Sequence, residues 1–156
     1  MSITLHKALP ADRERVDELF REMLRSIFPD REPRGYEEGY LDKFFGPSED
    51  WICLARDGEK TVAYLSVEVY RTPEAYIYLD DLSVTAEYRN RGVGTALLRE
   101  AAACSRRIGV PRIIFHVEKT NRGARRLYER LGYRILRDDG SRWLMGREVT
   151  PEEARG

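Results

Sequence analysis

Two glycines one residue apart, Gly92 and Gly94, close a run that opens as an apolar strand at Leu82-Ser83-Val84 and passes through the polar turn Thr85-Ala86-Glu87-Tyr88. A helical stretch, Thr95-Ala96-Leu97-Leu98, follows at once. Glycines at a helix start leave the main chain uncovered by Cβ atoms, so an anion reaches consecutive N–H groups at hydrogen-bond distance. Arg89 and Arg91 add positive charge, and Asn90, Val93 and Thr95 complete the candidate loop. A dinucleotide fingerprint is excluded because Leu97 stands at its third glycine position and a polar turn separates strand from glycine. The string G-x-x-x-x-G-K-[ST] of nucleotide-binding P-loops does not occur. An ordinary turn before a core helix is the remaining rival, and a second block argues against it.

That block, Asn121 to Tyr133, sets Ala124, Leu127, Tyr128 and Leu131 on one helical face, with Asn121 as cap and Gly132 as stop. Between the blocks the spacing predicts one helix and one strand. The helix has an apolar stripe of Val93, Ala96, Leu97, Ala101, Cys104 and Ile108 and is closed by Gly109; the strand covers 112–118. In this order and at this separation, R-x-x-G-x-G and N-x-x-A-x-x-L-Y-x-x-x-G-[FY] resemble the signatures of the GNAT family of acetyl-CoA-dependent N-acetyltransferases. The resemblance covers residues 2–149 as one N-acetyltransferase domain and leaves 150–156 as a C-terminal tail. It implies an α/β (α+β) fold with a central mixed, mostly antiparallel sheet of about seven strands and about four helices, splayed between the fourth and fifth strands.

Composition is consistent with such a domain. A chain of 156 residues buries a core without staples, so Cys53 and Cys104 read as buried thiols in a reducing compartment rather than as a disulfide. No charged-then-apolar leader begins the sequence and no apolar run nears the roughly 20 residues of a membrane span, which points to a soluble cytoplasmic protein. The net charge of zero hides an asymmetry: residues 1–88 hold 11 Lys/Arg against 19 Asp/Glu, and residues 89–147 hold 15 against 5. By the resemblance the basic part carries most of a coenzyme site, and the acidic part suits a cationic amine; helix composition alone is the plainer reading of the acidic surplus. Arg106, Arg107, Arg112, Arg122, Arg125, Arg126 and Arg130 read as solvated helix faces and not as a nucleic-acid surface, since no aromatic stacking motif accompanies them.

The rest of the chain reads as follows. Residues 2–8 form a strand, and Asp12 caps a helix to about Phe28 whose stripe Val16, Leu19, Phe20, Met23, Leu24 and Ile27 is core. Tyr36, Tyr40, Leu41, Phe44 and Phe45 suggest a second short helix before Gly46-Pro47. Strands over 51–56 and 61–71 are joined at Asp57-Gly58, and a last hairpin turns at Asp138-Asp139-Gly140. In the strand over 75–84 the apolar phase slips: Ala75, Ile77 and Leu79 are odd, Leu82 and Val84 even, with Asp80-Asp81 between. One extra residue, a β-bulge, would keep both series facing the core.

Acetyl transfer needs a neutral amine, a polarised thioester carbonyl and a stabilised leaving thiolate. The resemblance places the Leu82 N–H at the acetyl oxygen, Leu82 and Val84 along the pantetheine arm, and Tyr128 at the sulfur as donor of a hydrogen bond or proton. It adds Asn121 and Ala124 to the coenzyme site and implies acetyl-CoA as co-substrate, an amine acceptor and no metal. Asp80 and Asp81 are the leading candidates to receive the amine proton or bind its ammonium form, with a plain structural role as the alternative. His116 and Glu118 are the substitutes. A homodimer is the default expectation. The rival function is a non-catalytic acyl-CoA-binding or sensor module of the same fold.

Overall fold

The computed structural model describes residues 1–155; Gly156, at the end of the expected tail, lies outside them. Its strands are β1 (Ile3–Lys7), β2 (Trp51–Asp57), β3 (Lys60–Tyr70), β4 (Tyr76–Val84), β5 (Arg112–Glu118), β6 (Arg134–Asp139) and β7 (Arg142–Glu148). Its α-helices are α1 (Arg13–Ile27), α2 (Val93–Arg107) and α3 (Arg122–Arg130). The sheet order is β1-β2-β3-β4-β5-β7-β6. β4 runs parallel to β5, with Ile77 opposite Ile113, while β1·β2, β2·β3, β5·β7 and β6·β7 are antiparallel. The mixed, mostly antiparallel sheet is thus the one the sequence leads one to expect. The chain divides into two units, Met1–Glu68 with Asp81–Ala101, and Val69–Asp80 with the described residues from Ala102 onward.

In the first unit, Val16 and Leu19 of α1 pack with Ala8, Leu41, Phe44, Ile52, Leu54 and Tyr64. The helix is less buried than its pattern predicts, since Ile27 is 51% exposed and Phe28 is exposed as well. Asp12 stands at the N-cap but its side chain makes no cap bond to α1. Its oxygens instead accept from the Leu9 N–H at 2.8 Å and pair with Arg56 at 3.1 Å, because the preceding turn has its own amides to satisfy. The expected helix after Tyr36 is a 3-10 turn, Tyr40–Phe44. Gly39, at φ 80°, breaks the helical path before Tyr40, and the aromatic spacing that suggested a helix reflects ring packing instead.

β4 carries the residues between which the apolar phase changes. Burial runs through Ile77, Leu79 and Ser83, all odd, and Ser83 is only 3% exposed. Its hydroxyl donates to the Leu19 carbonyl of α1 at 2.8 Å. Leu82 and Val84 point to the other face, where Cδ2 and Cγ2 lie 3.8 Å from the Cβ position of Gly94 at the start of α2. The second half of β4 is therefore covered on both faces.

In the second unit, β5 buries Ile113, Phe115 and Val117, and Phe115 packs on Tyr128 of α3 and on Tyr133, with ring centroids 4.4 and 4.8 Å away. Ile108, expected in the buried stripe, is exposed because α2 ends at Arg107 and Gly109, at φ 79°, turns the chain away. Cys104 is only partly buried, with the Arg107 Nη2 at 3.2 Å from its Sγ, whereas Cys53 is buried as expected. β6 runs through Asp138 and Asp139, so the turn of the last hairpin sits one residue later than the aspartates suggest. Within the expected tail, Pro151–Arg155 forms a 3-10 turn whose Glu153 pairs with Arg147 at 2.6 Å.

Gly146 of β7 is packed so tightly that a Cβ would lie 2.8 Å from the Ile113 carbonyl oxygen, while Gly123 of α3 has open space around it. Gly146→Ala is expected to cost about 1–3 kcal/mol of stability, read as a lower thermal midpoint. Gly123→Ala is expected to add about 0.4–1 kcal/mol by restricting the unfolded chain. Equal midpoints for the two variants would contradict this packing.

Candidate functional site

The turn between β4 and α2 is built by local geometry. Asn90 takes φ 60° and Gly92 φ 82°, which swings the chain into α2, and the Ala96 N–H then closes the first turn on the Gly92 carbonyl at 3.0 Å. The amides of Val93, Gly94 and Thr95 precede any intrahelical carbonyl and so point out of the helix end. Glu22 of α1 holds the approach to the turn, accepting from the Ala86 N–H at 2.9 Å and the Thr85 hydroxyl at 3.0 Å. The two arginines differ. Arg89 turns back, its Nε donating to the Val84 carbonyl at 2.9 Å, whereas Arg91 is exposed with its guanidinium 5.6 Å from the Tyr88 ring centre. Leu82, Val84 and the loop 89–95 are thus brought together around the N-terminus of α2.

Asp81 is not a loose carboxylate. Its Oδ2 accepts from the Tyr36 hydroxyl at 2.6 Å, and the Tyr36 and Tyr64 hydroxyls are 2.7 Å apart. With Asp81 ionised only an acceptor remains on its side, so the Tyr36 hydroxyl donates its hydrogen bond to Asp81 and the Tyr64 hydroxyl donates to Tyr36. The Tyr36 ring stacks between Phe20 at 3.8 Å and Tyr40 at 4.9 Å, and its own N–H is held by Asp17 Oδ1 at 2.7 Å. Burial first, then the charges and hydrogen bonds of Tyr64 and Asp81, push the Tyr36 hydroxyl far above the ordinary phenol range. Neither Tyr36 nor Tyr64 was legible as a site residue, because the partnership with Asp81 joins segments 45 residues apart in the first case. Asp80, the neighbouring candidate, is exposed.

On α3, Asn121 caps the helix as expected, its Oδ1 accepting from the Ala124 N–H at 3.1 Å. Tyr128 lies one helical turn on from Ala124, against Phe115 and Tyr133. Burial, with a smaller contribution from Tyr133, pushes its hydroxyl up to about 12, so it is protonated at neutral pH. It is a donor that keeps its proton.

His116 has acquired partners that the sequence did not reveal. Its Nδ1 is 2.6 Å from the Tyr78 hydroxyl of β4, and its Nε2 is 2.7 Å from Asp139 Oδ2 of β6. Arg137 clamps the same carboxylate, with Nε 2.6 Å from Oδ1 and Nη2 3.0 Å from Oδ2. Reading Asp138-Asp139-Gly140 as a turn hid Asp139, since a turn residue would not face a strand residue on β5. Glu118, the other substitute base, is exposed at the end of β5 opposite Arg142. Among the described residues no group of three or more His, Cys, Asp or Glu is placed to hold a metal ion. No helix among them is long and apolar enough to cross a membrane.

Residues 14–133 match the model of the acetyltransferase (GNAT) family. The chain is 31% identical over 80 residues to GCN5-related N-acetyltransferase 6, chloroplastic, of Arabidopsis thaliana, covering 51% of this chain and 28% of that protein. It is 28% identical over 97 residues to N-alpha-acetyltransferase 30 of Xenopus laevis, covering 60% and 36%. It therefore spans about a third or less of the length of these curated relatives. The fold matches that of the PaiA N-acetyltransferase from Thermoplasma acidophilum in complex with coenzyme A, with a TM-score of 0.77, 18% identity and coverage of 95% and 99%.

The Tyr36 hydroxyl bonds both the buried Tyr64 and the half-buried Asp81, so Tyr36→Phe removes two hydrogen bonds and is expected to cost about 1–3 kcal/mol in urea unfolding. Spectrophotometric titration of the folded protein is expected to find one fewer ionising tyrosine in Tyr36→Phe only after denaturation. Unchanged stability would mean that the hydroxyl network carries no weight.

Proposed function

We propose that this chain, which belongs to the acetyltransferase (GNAT) family, moves an acetyl group from acetyl-CoA to a primary amine by direct attack in a ternary complex. The observation that carries this reading is the start of α2, where outward amides stand beside a Cβ-free Gly94 and the edge of Leu82 and Val84. In it, Arg89, Asn90, Arg91, Gly92, Val93, Gly94 and Thr95 hold the pyrophosphate, chiefly through main-chain N–H groups. Leu82 and Val84 offer main-chain partners to the acetyl and pantetheine groups, and Asn121, Ala124 and Tyr128 complete the coenzyme site.

The amine nitrogen attacks the thioester carbon, the Leu82 N–H stabilises the oxyanion, and the C–S bond breaks as coenzyme A leaves. Tyr128 serves the departing sulfur as a hydrogen-bond donor. A phenol at about 12 does not surrender its proton to a thiolate whose conjugate acid is near 8.5, so donation without full transfer fits the burial of this residue. For the amine proton, Asp81 is a weaker candidate than the sequence suggests, since Tyr36 already donates to it. Asp80 and Asp81 then attract the ammonium group, and His116, oriented from both ring nitrogens, accepts the proton.

Two acceptor classes have support. The acidic surplus over residues 1–88, 19 acidic against 11 basic residues, suits a small polyamine-like or amino-sugar amine. The relative named N-alpha-acetyltransferase supports a peptide N-terminus. Release of free thiol from acetyl-CoA, followed over a panel of polyamines, amino sugars and peptides, separates them, and thiol release with none would favour the coenzyme-binding module that does no chemistry. Gly94→Val is expected to weaken acetyl-CoA binding at least about tenfold in calorimetry, while Arg106→Ala does not. The protein itself leaves 3.8 Å around a Cβ at position 94, so a folded variant with unchanged affinity would move the coenzyme away from this loop. Tyr128→Phe is expected to lower kcat by roughly 10- to 10²-fold with little change in coenzyme affinity, the worth of one hydrogen bond to a developing charge. A kcat within about twofold of the parent would remove Tyr128 from the reaction.

A further inference from the structure

We infer that Asp139, clamped by Arg137, is a positioning residue that fixes the tautomer and orientation of His116, making Tyr78, His116 and Asp139 a single proton-accepting chain. This deepens the reading above and rests on His116 as the amine base. Three strands supply the chain: Tyr78 on β4, His116 on β5 and Asp139 on β6.

The order of protons follows from the acid. Both oxygens of Asp139 are engaged, Oδ1 by Arg137 Nε and Oδ2 by Arg137 Nη2 and His116 Nε2. The hydrogen bonds from Arg137 and then His116 hold its carboxyl far below the usual carboxylate range, so it is ionised and only accepts. The proton of a neutral His116 therefore resides on Nε2, and the Nδ1 lone pair receives the Tyr78 hydroxyl. A proton leaving the amine binds the Tyr78 oxygen as the Tyr78 O–H bond breaks and an N–H bond forms at Nδ1. The phenol ends as it began, and the positive charge rests on the imidazolium against Asp139. A serine nucleophile, its histidine and the aspartate behind it follow the same logic of a carboxylate fixing an imidazole.

The other groups on this face are few. Glu118 of β5 and Arg142 of β7 lie in register beside Asp139, and Leu144 of β7, opposite His116, brings no charge. Side chains of His116 and Asp139 are 17% and 21% exposed, enough shielding for the pair to feel each other's charge.

The chain has two histidines, which makes the test direct. Nitrogen-edited NMR of the full chain follows both imidazoles against pH without any acceptor substrate, and His6 of β1 serves as the internal control. Removing the carboxylate takes away the acceptor that holds the Nε2 proton, so Asp139→Asn is expected to mix the His116 tautomers, read from the ring nitrogen shifts. Arg137→Gln keeps the carboxylate that accepts from His116 and is expected to leave the Nε2-protonated tautomer in place. Asp138→Asn, whose carboxylate pairs with Lys119, is expected to leave it in place. With an acceptor in hand, Asp139→Asn lowers kcat while Arg137→Gln keeps most of it, a split that follows the tautomer and that a merely structural loss would not produce. A folded Asp139→Asn protein that keeps the parental His116 tautomer would overturn the positioning role. A His116→Gln protein with the parental pH profile would instead overturn the base reading on which the catalytic part rests.

Discussion

The second half of β4 is covered on both faces, and the organisation of the first unit depends on that double cover. Ser83 is tied to the α1 backbone through its hydroxyl, while Leu82 and Val84 lie against the first turn of α2. A strand so enclosed cannot slide by one residue, because a slip would put a hydroxyl against α2 and leucine and valine side chains against the Leu19 carbonyl. With the strand fixed, the chain has seven residues, from Thr85 to Arg91, in which to reverse before Gly92, and Glu22 reaches over to satisfy the amide and hydroxyl at the start of that reversal. The outward amides of α2 are therefore held by packing and not by the glycines alone; the glycines only keep the space in front of them clear.

Sequence spacing located every element whose signal is local. The α3 cap bond from Ala124 to Asn121, the positive φ of Gly109 and Gly132, and the bounds of β5 follow from residues within one or two turns of each other. Failures share the opposite property. The burial of Ser83 was not legible in β4, because alternation reports which face is apolar and says nothing when both faces are covered. The aromatic run after Tyr36 looked helical because rings that stack on one another, Phe20 on Tyr36 and Tyr36 on Tyr40, recur at spacings a helix also uses.

Candidate residues divide in the same way. Gly92, Gly94, Asn121 and Tyr128 were legible because their blocks are contiguous. Tyr36, Tyr78 and Asp139 were not, since each acquires meaning from a partner on another element at a separation of 45, 38 and 23 residues. An aspartate before a glycine is a strong turn signal, and here the turn begins just after it, so Asp139 keeps a strand direction and faces β5.

Two carboxylates of the chain meet tyrosine chemistry in different ways, and the difference decides what each can do. Asp81 takes a hydroxyl directly from Tyr36, a group that burial holds neutral, so the pair stores a proton that neither member passes on at ordinary pH. Asp139 is linked to Tyr78 through His116, and an imidazole between a phenol and a carboxylate has one nitrogen for each. The same residue types thus build a closed hydrogen-bond chain around Asp81 and an imidazole engaged at both nitrogens at His116, and it is the interposed ring, not the acid, that separates the two arrangements.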